Sequence, residues 1–294
     1  MSLLSVDQLV KSYGTFSLGP LQLNIEPGTS VALIGANGAG KTTFFRSVMG
    51  TLRTQQGEVR FNGATANASN PGWKQEVGYV GDFTPLFENW TGHRNLKSFA
   101  RFYQNWSQSA AEELAQRLGL DLDLKPKQYS TGQRTKMGIV LALAHKPQLL
   151  LLDEPGNGLD PVSRDVFIEL LFEFLQDENH ALVYATHHIS EVEQLADRLV
   201  FVSEGQVVRD EIKEDLAEKW RRLSFRSEHP IEDIPNLVSA QRQAPYYELV
   251  TDNATATLER LQAVGIEEIE SSRLSIEKIA VEILKSSARE INHV

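Results

Sequence analysis

An α/β fold with a parallel central sheet is predicted by the alternation of strand-like and helix-like segments over the first 214 or so residues. Short, uniformly apolar runs suit strands that are buried on both faces of a parallel sheet. Helical patterns separate these runs, which indicates a doubly wound layout with helices on both faces of the sheet. The strand-like runs are SVALIG (30–35), VGYVG (77–81), LLLLDE (149–154), ALVYAT (181–186) and LVFVS (199–203).

The first of these runs leads directly into a glycine-rich loop and a helix. GANGAGKTT (35–43) matches the pattern G-x-x-x-x-G-K-[ST], which lies between a strand and a helix in phosphate-binding loops. Its glycines allow a tight turn that points backbone amides at phosphate oxygens, and the helix N-terminus adds partial positive charge. In KTTFFRSVMG (41–50) the apolar residues share one helix face, and Gly50 ends the helix.

Two loop side chains have specific expected roles at a bound nucleotide. Lys41 is expected to reach the β- and γ-phosphates, and the Thr42 hydroxyl is expected to ligate Mg²⁺. The alternative, a glycine-rich turn with a chance lysine, is disfavoured because strand, loop and helix occur in the required order. The predicted nucleotide-binding residues of this loop are Gly35, Ala36, Asn37, Gly38, Ala39, Gly40, Lys41, Thr42 and Thr43.

The segment from about 82 to 146 interrupts the strand rhythm and is predicted to be an inserted helical subdomain. Two of its candidate helices are TGHRNLKSFARFYQNW (91–106) and SAAEELAQRLGL (109–120). The predicted fold is therefore not a simple repetition of strand and helix.

A further helix, predicted over 131–145, begins in YSTGQRTKMG (129–138). Ser130 and Gln133 have the spacing of a capping box. The small residues Ser130, Thr131 and Gly132 leave backbone amides open at the helix N-terminus, where an anion is stabilised. The segment is a candidate anion site, although no suitable lysine precedes it.

The apolar run at 149–152 is followed by two carboxylates. Asp153 is expected at the carboxyl end of a buried strand, where ligands bind in open α/β sheets. There Asp153 can hold Mg²⁺ through water, and Glu154 can polarise a water for attack on a γ-phosphate. The alternative is an acidic pair that merely initiates a helix before Pro155; the phosphate loop upstream favours the functional interpretation.

A histidine pair follows the strand-like run ALVYAT. Because His187 comes directly after that strand, it is favoured over His188 as a residue that reaches a γ-phosphate. A single histidine is more often structural than functional, and this alternative remains open.

Bulk properties restrict the partners. The 294-residue chain has a formal net charge of −10, which disfavours nucleic acid and anionic lipid as broad-surface partners. It contains no cysteine, which excludes disulfides and fits a reducing compartment. The segment MSLLSVDQLVKSYG lacks the layout of a signal peptide, and no apolar stretch reaches the roughly 20 residues of a spanning helix.

The composition pattern changes after about residue 214. LSFRS (223–227) and YYELVT (246–251) are predicted strands, whereas 254–265 and 275–292 are predicted helices. The sequence therefore predicts two domains, residues 1–214 and a small C-terminal α+β domain over 215–294.

Taken together, the motifs resemble those of the ATP-binding subunits of ABC (ATP-binding cassette) transporters. The resemblance covers about residues 3 to 210. It implies a P-loop NTPase fold, with a RecA-like core, additional antiparallel strands and the inserted helical subdomain. It also implies that Tyr13, in LVKSYG, stacks on adenine; a strand-face aromatic is the alternative. The motifs that carry it, in order, are GANGAGKTT, YSTGQ, LLLLDEP, NGLD (157–160) and TH (186–187).

The resemblance implies a role for the helix start at 130. In this family two ATP-binding domains pair head to tail, so the signature motif contacts the nucleotide held by the partner chain. The resemblance assigns that contact to Ser130, Thr131, Gly132 and Gln133, and Asp160 is expected to link the two sites across the interface. A homodimer and a heterodimer are both open.

The sequence departs from the family pattern in three motifs. The usual glutamine after GYV is Asp82, whose carboxylate can also ligate Mg²⁺ but is shorter and charged. Tyr129 and Thr131 replace a leucine and a glycine of the signature, and Asn157 replaces a common serine. Lys41 and the acidic pair after the strand are retained, so ATP hydrolysis is expected.

Coupling to transport is the favoured function. Without a spanning helix, the chain is expected to act at the cytoplasmic face of the membrane with separate permease subunits. The closing helix RLSIEKIAVEIL (273–284) weakly resembles that of exporter-type subunits, which favours export over import. Translation-type ABC ATPases carry two cassettes, and chromosome-maintenance types need a long coiled coil; only one cassette and no coiled coil are visible here.

Overall fold

The structure of the chain is a computed structural model that describes residues 2–81, 84–186, 189–228, 231 and 233–291. The strands in these residues are β1 (Leu4–Tyr13), β2 (Phe16–Ile25), β3 (Ser30–Ile34), β4 (Gln56–Phe61), β5 (Ala64–Thr65), β6 (Val77–Val80), β7 (Leu149–Asp153), β8 (Ala181–Ala185), β9 (Arg198–Ser203), β10 (Gln206–Ile212), β11 (Arg221–Arg226), β12 (Leu237–Gln243), β13 (Tyr246–Thr251) and β14 (Ile269–Arg273). The α-helices are α1 (Lys41–Val48), α2 (Gly92–Phe99), α3 (Gln108–Arg117), α4 (Thr131–Leu143), α5 (Pro161–Phe174), α6 (Ile189–Leu195), α7 (Lys213–Lys219), α8 (Ala254–Ala263) and α9 (Ile276–Ile291).

The central sheet has six strands in the order β10-β9-β3-β8-β7-β6. The five runs predicted from the sequence form its five parallel strands, and β10 adds an antiparallel edge. Every residue of β3, β7 and β8 is buried, as expected for strands covered on both faces. Because these strands are parallel, their carboxyl ends lie at one edge of the sheet, and the register pairs Asp153 with Ala185 there.

A second, antiparallel sheet has the order β2-β1-β4-β5. The sequence did not locate these strands, because only one face of each is buried and polar residues interrupt the apolar ones. The sheet matters for function because the β1–β2 hairpin brings Tyr13 and Phe16 to the region of the phosphate loop.

The described residues between 84 and 146 contain helices and no strand, as predicted. The helix expected over 91–106 is shorter, since α2 ends at Phe99. The side chain of Gln75 explains the difference: its amide donates to the Phe102 carbonyl, and its oxygen accepts from the Gln104 amide. These bonds satisfy the backbone outside a helix, so the helix need not continue. Helix α4 begins at the predicted signature motif and is therefore named the signature helix; it ends at Leu143 rather than 145.

The C-terminal region forms a third sheet of four antiparallel strands, β12-β13-β11-β14. The apolar residues on one face of the sheet pack with Leu261 of α8. Helix α9 packs back against β9, so that Ile279 and Ile283 join the same core as Phe201. The predicted domain boundary at 214/215 falls inside α7, whose Leu216 is also part of this core. Across the described residues, no helix combines the length and apolarity that a bilayer span requires.

Candidate functional site

The glycine-rich loop joins β3 to α1 and is shaped by close backbone contacts. Gly38 and Gly40 have φ values of 83° and 113°, in the left-handed region that favours glycine. A Cβ on Gly35 would lie 2.3 Å from the Val202 carbonyl oxygen, and one on Gly40 would lie 2.8 Å from Leu18 Cδ1. The loop therefore needs glycine both for its backbone conformation and for its packing against neighbouring strands.

Lys41 is the first residue of α1, and its side chain folds back over the loop. Its Nζ donates to the carbonyl oxygens of Gly35 (2.7 Å) and Ala36 (3.3 Å). The same nitrogen lies 3.7 Å from Glu154 Oε1, and the lysine side chain is only 6% exposed. The loop thus holds a buried ammonium group next to the carboxylate that follows β7.

A cavity of about 460 Å³ lies in front of this lysine. Its volume falls in the range of roughly 300–1,000 Å³ that is usual for small-molecule sites. A larger cavity, of about 890 Å³, lies against the C-terminal sheet, but no phosphate-loop residue lines it. The smaller cavity is the candidate site because it collects residues of the first sheet, the phosphate loop and the segment after β7: Tyr13, Phe16, Asn37, Gly38, Gly40, Lys41, Thr42, Thr43, Glu154 and Asn157.

An aromatic pair forms one wall of the cavity. Tyr13 is half exposed, and its ring centroid lies 5.6 Å from that of Phe16. The Tyr13 hydroxyl lies 2.7 Å from Thr43 Oγ1, at hydrogen-bond distance. This contact fixes the ring relative to α1 and leaves part of it open to solvent, where a flat ligand can stack.

Two carboxylates follow β7 in different environments. Asp153 is 2% exposed at the carboxyl end of the strand, whereas Glu154 turns towards the cavity. Glu154 has a φ of 55°, a left-handed conformation that costs of the order of 1 kcal/mol or more for a residue other than glycine. Its amide donates to the Ala185 carbonyl at 2.9 Å, and Asn157 Nδ2 donates to its Oε2 at 3.4 Å. The fold thus maintains a strained backbone at the residue that faces Lys41.

The helix start at residue 130 has the geometry that the sequence predicted. Ser130 Oγ accepts from the Gln133 amide at 3.2 Å, and Gln133 Oε1 accepts from the Ser130 amide at 2.8 Å. Both bonds of the capping box are therefore present. Ser130 and Thr131 are exposed, and none of residues 130–133 lines the cavity at Lys41.

Gly132 is buried against the turn that follows Glu154. A Cβ on Gly132 would lie 2.2 Å from the Gly158 carbonyl oxygen, which leaves no room for a larger residue. Thr135 Oγ1 also donates to the Asn157 carbonyl at 3.2 Å. The signature helix and the NGLD turn of one chain therefore pack directly on each other.

Asp160 caps helix α5 of its own chain. Its carboxylate accepts from the Ser163 hydroxyl (2.6 Å) and the Ser163 amide (3.0 Å). Lys136 Nζ lies 3.4 Å away. The bonds from Ser163, and then the charge of Lys136, lower the pKa of Asp160 to about 2, so the carboxylate is charged at neutral pH.

Comparison with known proteins shows the family to which the chain belongs. The family model of ABC transporters matches residues 18–157. The lantibiotic transport ATP-binding protein SrtF of Streptococcus pyogenes is 34% identical over 209 residues, which are 70% of this chain and 89% of that protein. The chain belongs to the ATP-binding subunits of ABC transporters. It is an ATPase that energises transport, as its resemblance predicted.

Other ABC proteins give the same result for sequence and fold. The linearmycin resistance ATP-binding protein LnrL of Bacillus subtilis is 29% identical over 223 residues, covering 74% of this chain and 71% of that protein. A solved ATP-binding subunit of an ABC transporter has a TM-score of 0.66 and 26% identity, and the match covers 74% of this chain and 92% of that one. The predicted fold class, a P-loop NTPase of the ABC type with a small C-terminal α+β region, is confirmed.

Two predicted site residues of this ABC subunit, Asp82 and His187, lie outside the described residues. Their predicted roles stay predictions. The last described residue before His187 is Thr186, which is 1% exposed directly after β8.

Sequence reasoning about this ABC subunit missed Phe16 and Lys136. Phe16 begins a strand that the sequence did not reveal, and it lines the cavity at Lys41 beside Tyr13. Lys136 is buried in the signature helix and pairs with Asp160. The sequence offered one signal for Lys136. It lies on the buried face of a helix, where a lysine is rare unless it has a partner of opposite charge.

Proposed function

We propose that the chain binds ATP in the 460 Å³ cavity and that Glu154 activates the water that attacks the γ-phosphate. The observation that carries this proposal is that Lys41 and Glu154 meet in the same cavity, with the Nζ and Oε1 atoms 3.7 Å apart. A cation for phosphate and a carboxylate for water are the two groups that such a hydrolysis needs at one place.

The cavity walls match the parts of ATP. The loop amides and Lys41 take the phosphates, because glycines bring the backbone close and the helix N-terminus favours an anion. The open face of Tyr13, held by Thr43 and next to Phe16, takes the adenine ring. The carbonyl contacts of Lys41 are replaced by phosphate oxygens when the nucleotide binds.

Mg²⁺ is held by Thr42 and Asp153 in this proposal, with Asp82 as a further ligand. The donor set fits, since hydroxyl and carboxylate oxygens are the ligands that Mg²⁺ prefers. In the described part of the chain, no group of three or more His, Cys, Asp or Glu side chains is arranged to hold a metal. When bound, the ion neutralises phosphate charge.

The chain's own residues perform the hydrolysis by position and charge. Lys41 neutralises the β- and γ-phosphates, and the carboxylate of Glu154 accepts a proton from the attacking water. Asn157, which donates to Glu154, restricts the orientation of that carboxylate. His187 is proposed to contact the γ-phosphate from the segment after β8.

We propose that two chains pair head to tail and that Ser130, Thr131, Gly132 and Gln133 contact the partner's nucleotide. Two observations support this: residues 130–133 do not line their own chain's cavity, and Ser130 and Thr131 are exposed. Asp160 is proposed to link the two sites across the interface. The turn at 157–160 that carries it packs on the signature helix of its own chain. Either identical or different chains can pair in this way.

Separate permease subunits complete the transporter in this proposal, and the chain works at the cytoplasmic face of the membrane. Export is the proposed direction, which the names of SrtF, a lantibiotic transport protein, and LnrL, a linearmycin resistance protein, support. Import is the alternative. Residues 1–214 are the proposed ATP-binding domain, and 215–294 the small C-terminal domain.

Substitution of the loop lysine tests the nucleotide site. We expect Lys41→Ala to raise the Kd for a fluorescent ATP analogue about 10- to 100-fold, because a hydrogen bond to a charged group contributes roughly 1.5–3 kcal/mol. Lys97→Ala is the matched control, since Lys97 is an exposed lysine on α2. Equal ATP affinity in Lys41→Ala and the control would contradict the proposed phosphate site.

A magnesium titration tests the role of Asp82. We expect Asp82→Ala to raise the magnesium concentration at half-maximal ATPase activity, since one oxygen ligand is lost. Asp82→Gln, which introduces the residue usual in the family, should retain the parent profile more closely. Identical magnesium profiles for the parent and Asp82→Ala would remove Asp82 from the metal site.

A further inference from the structure

A buried carboxylate contacts both the segment that follows β7 and the segment that follows β8. Glu191 belongs to the first turn of α6 and is 4% exposed. Its Oε2 accepts a hydrogen bond from Thr186 Oγ1 at 2.7 Å. Because Thr186 directly follows β8, this bond fixes the backbone at the carboxyl end of that strand.

The other oxygen of Glu191 faces the turn that follows Glu154. Glu191 Oε1 lies 3.6 Å from Arg164 Nε, and Arg164 Nη2 donates to the Gly156 carbonyl at 3.3 Å. A Cβ on Gly156 would lie 2.7 Å from the same Oε1, so the carboxylate fills the space beside that backbone. One side chain thus contacts both segments that flank the hydrolysis site.

A carboxylate in this position is unfavourable unless its surroundings compensate it. Removing a charge from water is costly, and the cost is offset only by well-placed partners. Within the described residues, Glu191 Oε1 and Arg164 Nε have no hydrogen-bond partner, and their separation of 3.6 Å is slightly too long for a hydrogen bond. A displacement of a few tenths of an ångström would bring the two groups to hydrogen-bond distance.

We propose that Glu191 is a positioning residue for ATP hydrolysis, holding the turn after Glu154 and the exit of β8 in a fixed relation through Arg164 and Thr186. The Glu154 amide donates to the Ala185 carbonyl at 2.9 Å, so the two segments already meet at the general base. This inference rests on the proposed role of Glu154. Displacement of a reacting group by about 1 Å can lower a rate about 10²-fold, so the network acts on turnover.

Removal of one hydroxyl tests the inference. Thr186→Val keeps the side-chain shape and loses the bond to Glu191. We expect its kcat for ATP hydrolysis to fall about tenfold, because the strand exit is no longer fixed. The Kd for a fluorescent ATP analogue should stay within about twofold, since Thr186 does not line the cavity. Thr186→Ser, which restores the hydroxyl, should recover most of the parent kcat.

A matched control separates positioning from stability. Thr257 is fully buried in the C-terminal region, and its hydroxyl lies 2.6 Å from that of Thr251. Its Oγ1 also lies 2.9 Å from the Pro235 carbonyl and 3.1 Å from the Asn253 carbonyl. Thr257→Val therefore also removes a buried threonine hydroxyl with its hydrogen bonds, but away from the cavity, and its kcat should stay near that of the parent. A Thr186→Val chain with the parent kcat would overturn the inference. So would a Thr186→Val chain in which thermal stability, ATP affinity and kcat all decline together, because that result indicates a merely structural bond.

Two further variants test whether the network acts as a unit. Glu191→Gln keeps an acceptor for Thr186 and removes the charge that faces Arg164. We expect Glu191→Gln combined with Thr186→Val to lose at most about twofold more kcat than the worse single variant, since both act through one group. If the fold-loss of kcat in the double variant equalled the product of the two single fold-losses, the inference would be overturned. If instead Glu154→Gln retained the parent rate, the proposed role of Glu154 would fail. That result is independent of the comparison of the Thr186 and Glu191 variants.

Discussion

Replacement of Glu154 by glutamine is expected to lower ATP turnover about 10²-fold or more while ATP still binds. Glutamine has nearly the same shape and can keep the contact with Asn157, whose Nδ2 lies 3.4 Å from Glu154 Oε2. It cannot accept a proton from water at neutral pH. The loss should therefore appear in kcat, measured by phosphate release, and not in the affinity for a fluorescent ATP analogue.

The surroundings of Glu154 sharpen this expectation. Its carboxylate lies 3.7 Å from Lys41 Nζ, so the charge change also removes an ion pair in the cavity. When ATP is bound, Lys41 is expected to contact its phosphates. Removal of the negative charge of Glu154 then reduces the repulsion between this residue and the phosphates. ATP affinity in Glu154→Gln should consequently equal or exceed that of the parent. Weaker ATP binding would contradict this electrostatic argument.

A second glutamate provides a control for the backbone. Glu204 also has a left-handed conformation, with a φ of 47°, but its side chain does not line the cavity. Glu204→Gln makes the same chemical change in a backbone of the same type. It should leave turnover near the parent value, and equal losses in the two variants would assign the effect to strain rather than to proton transfer.

The sequence predicted the parts of this site that depend on local patterns. The five parallel strands were recognisable because both of their faces are buried, which makes them uniformly apolar. The phosphate loop was recognisable because its glycines and lysine are contiguous. In contrast, β1 and β2 alternate buried and exposed residues and contain irregular register, so Phe16 was missed.

The remaining features depend on contacts between distant segments. The helix α2 stops early because Gln75, far away in the sequence, binds the backbone at Phe102 and Gln104. Gly132 belongs to the predicted signature motif, but the need for glycine at this position arises from the close approach of the Gly158 carbonyl. These contact partners are not part of the local sequence pattern, so a single sequence does not reveal them.

The trans role of the signature motif gives the other large expected effect. Ser130→Arg places a long side chain at the exposed helix start, where the partner's γ-phosphate is proposed to bind. A homodimer of this variant should hydrolyse almost no ATP. Each isolated chain should bind ATP with nearly the parent affinity, because Lys41 and Thr42 of its own cavity are unchanged.

Ser130→Arg also removes a helix cap, and this effect needs its own control. Loss of an N-cap hydroxyl costs about 1 kcal/mol of stability. Ser107 caps α3 in the same way, since its Oγ accepts from the Ala110 amide at 3.2 Å. Ser107→Arg should therefore show a similar loss of thermal stability and retain ATPase activity. This control distinguishes the effect of losing a helix cap from the effect of blocking the phosphate contact.

Mixing two inactive chains tests the two-chain site directly. When Ser130→Arg pairs with Lys41→Ala, one interface site receives both defects, and the other combines an intact phosphate loop with an intact signature. ATPase activity should reappear in the mixture, and it should rise with protein concentration because pairing is required. A Ser130→Arg chain that fails to bind ATP as an isolated monomer would show instead that YSTGQ serves its own nucleotide or its own fold. The proposed exchange between chains would then be wrong, because the capping box of Ser130 and Gln133 would account for the whole motif within one chain.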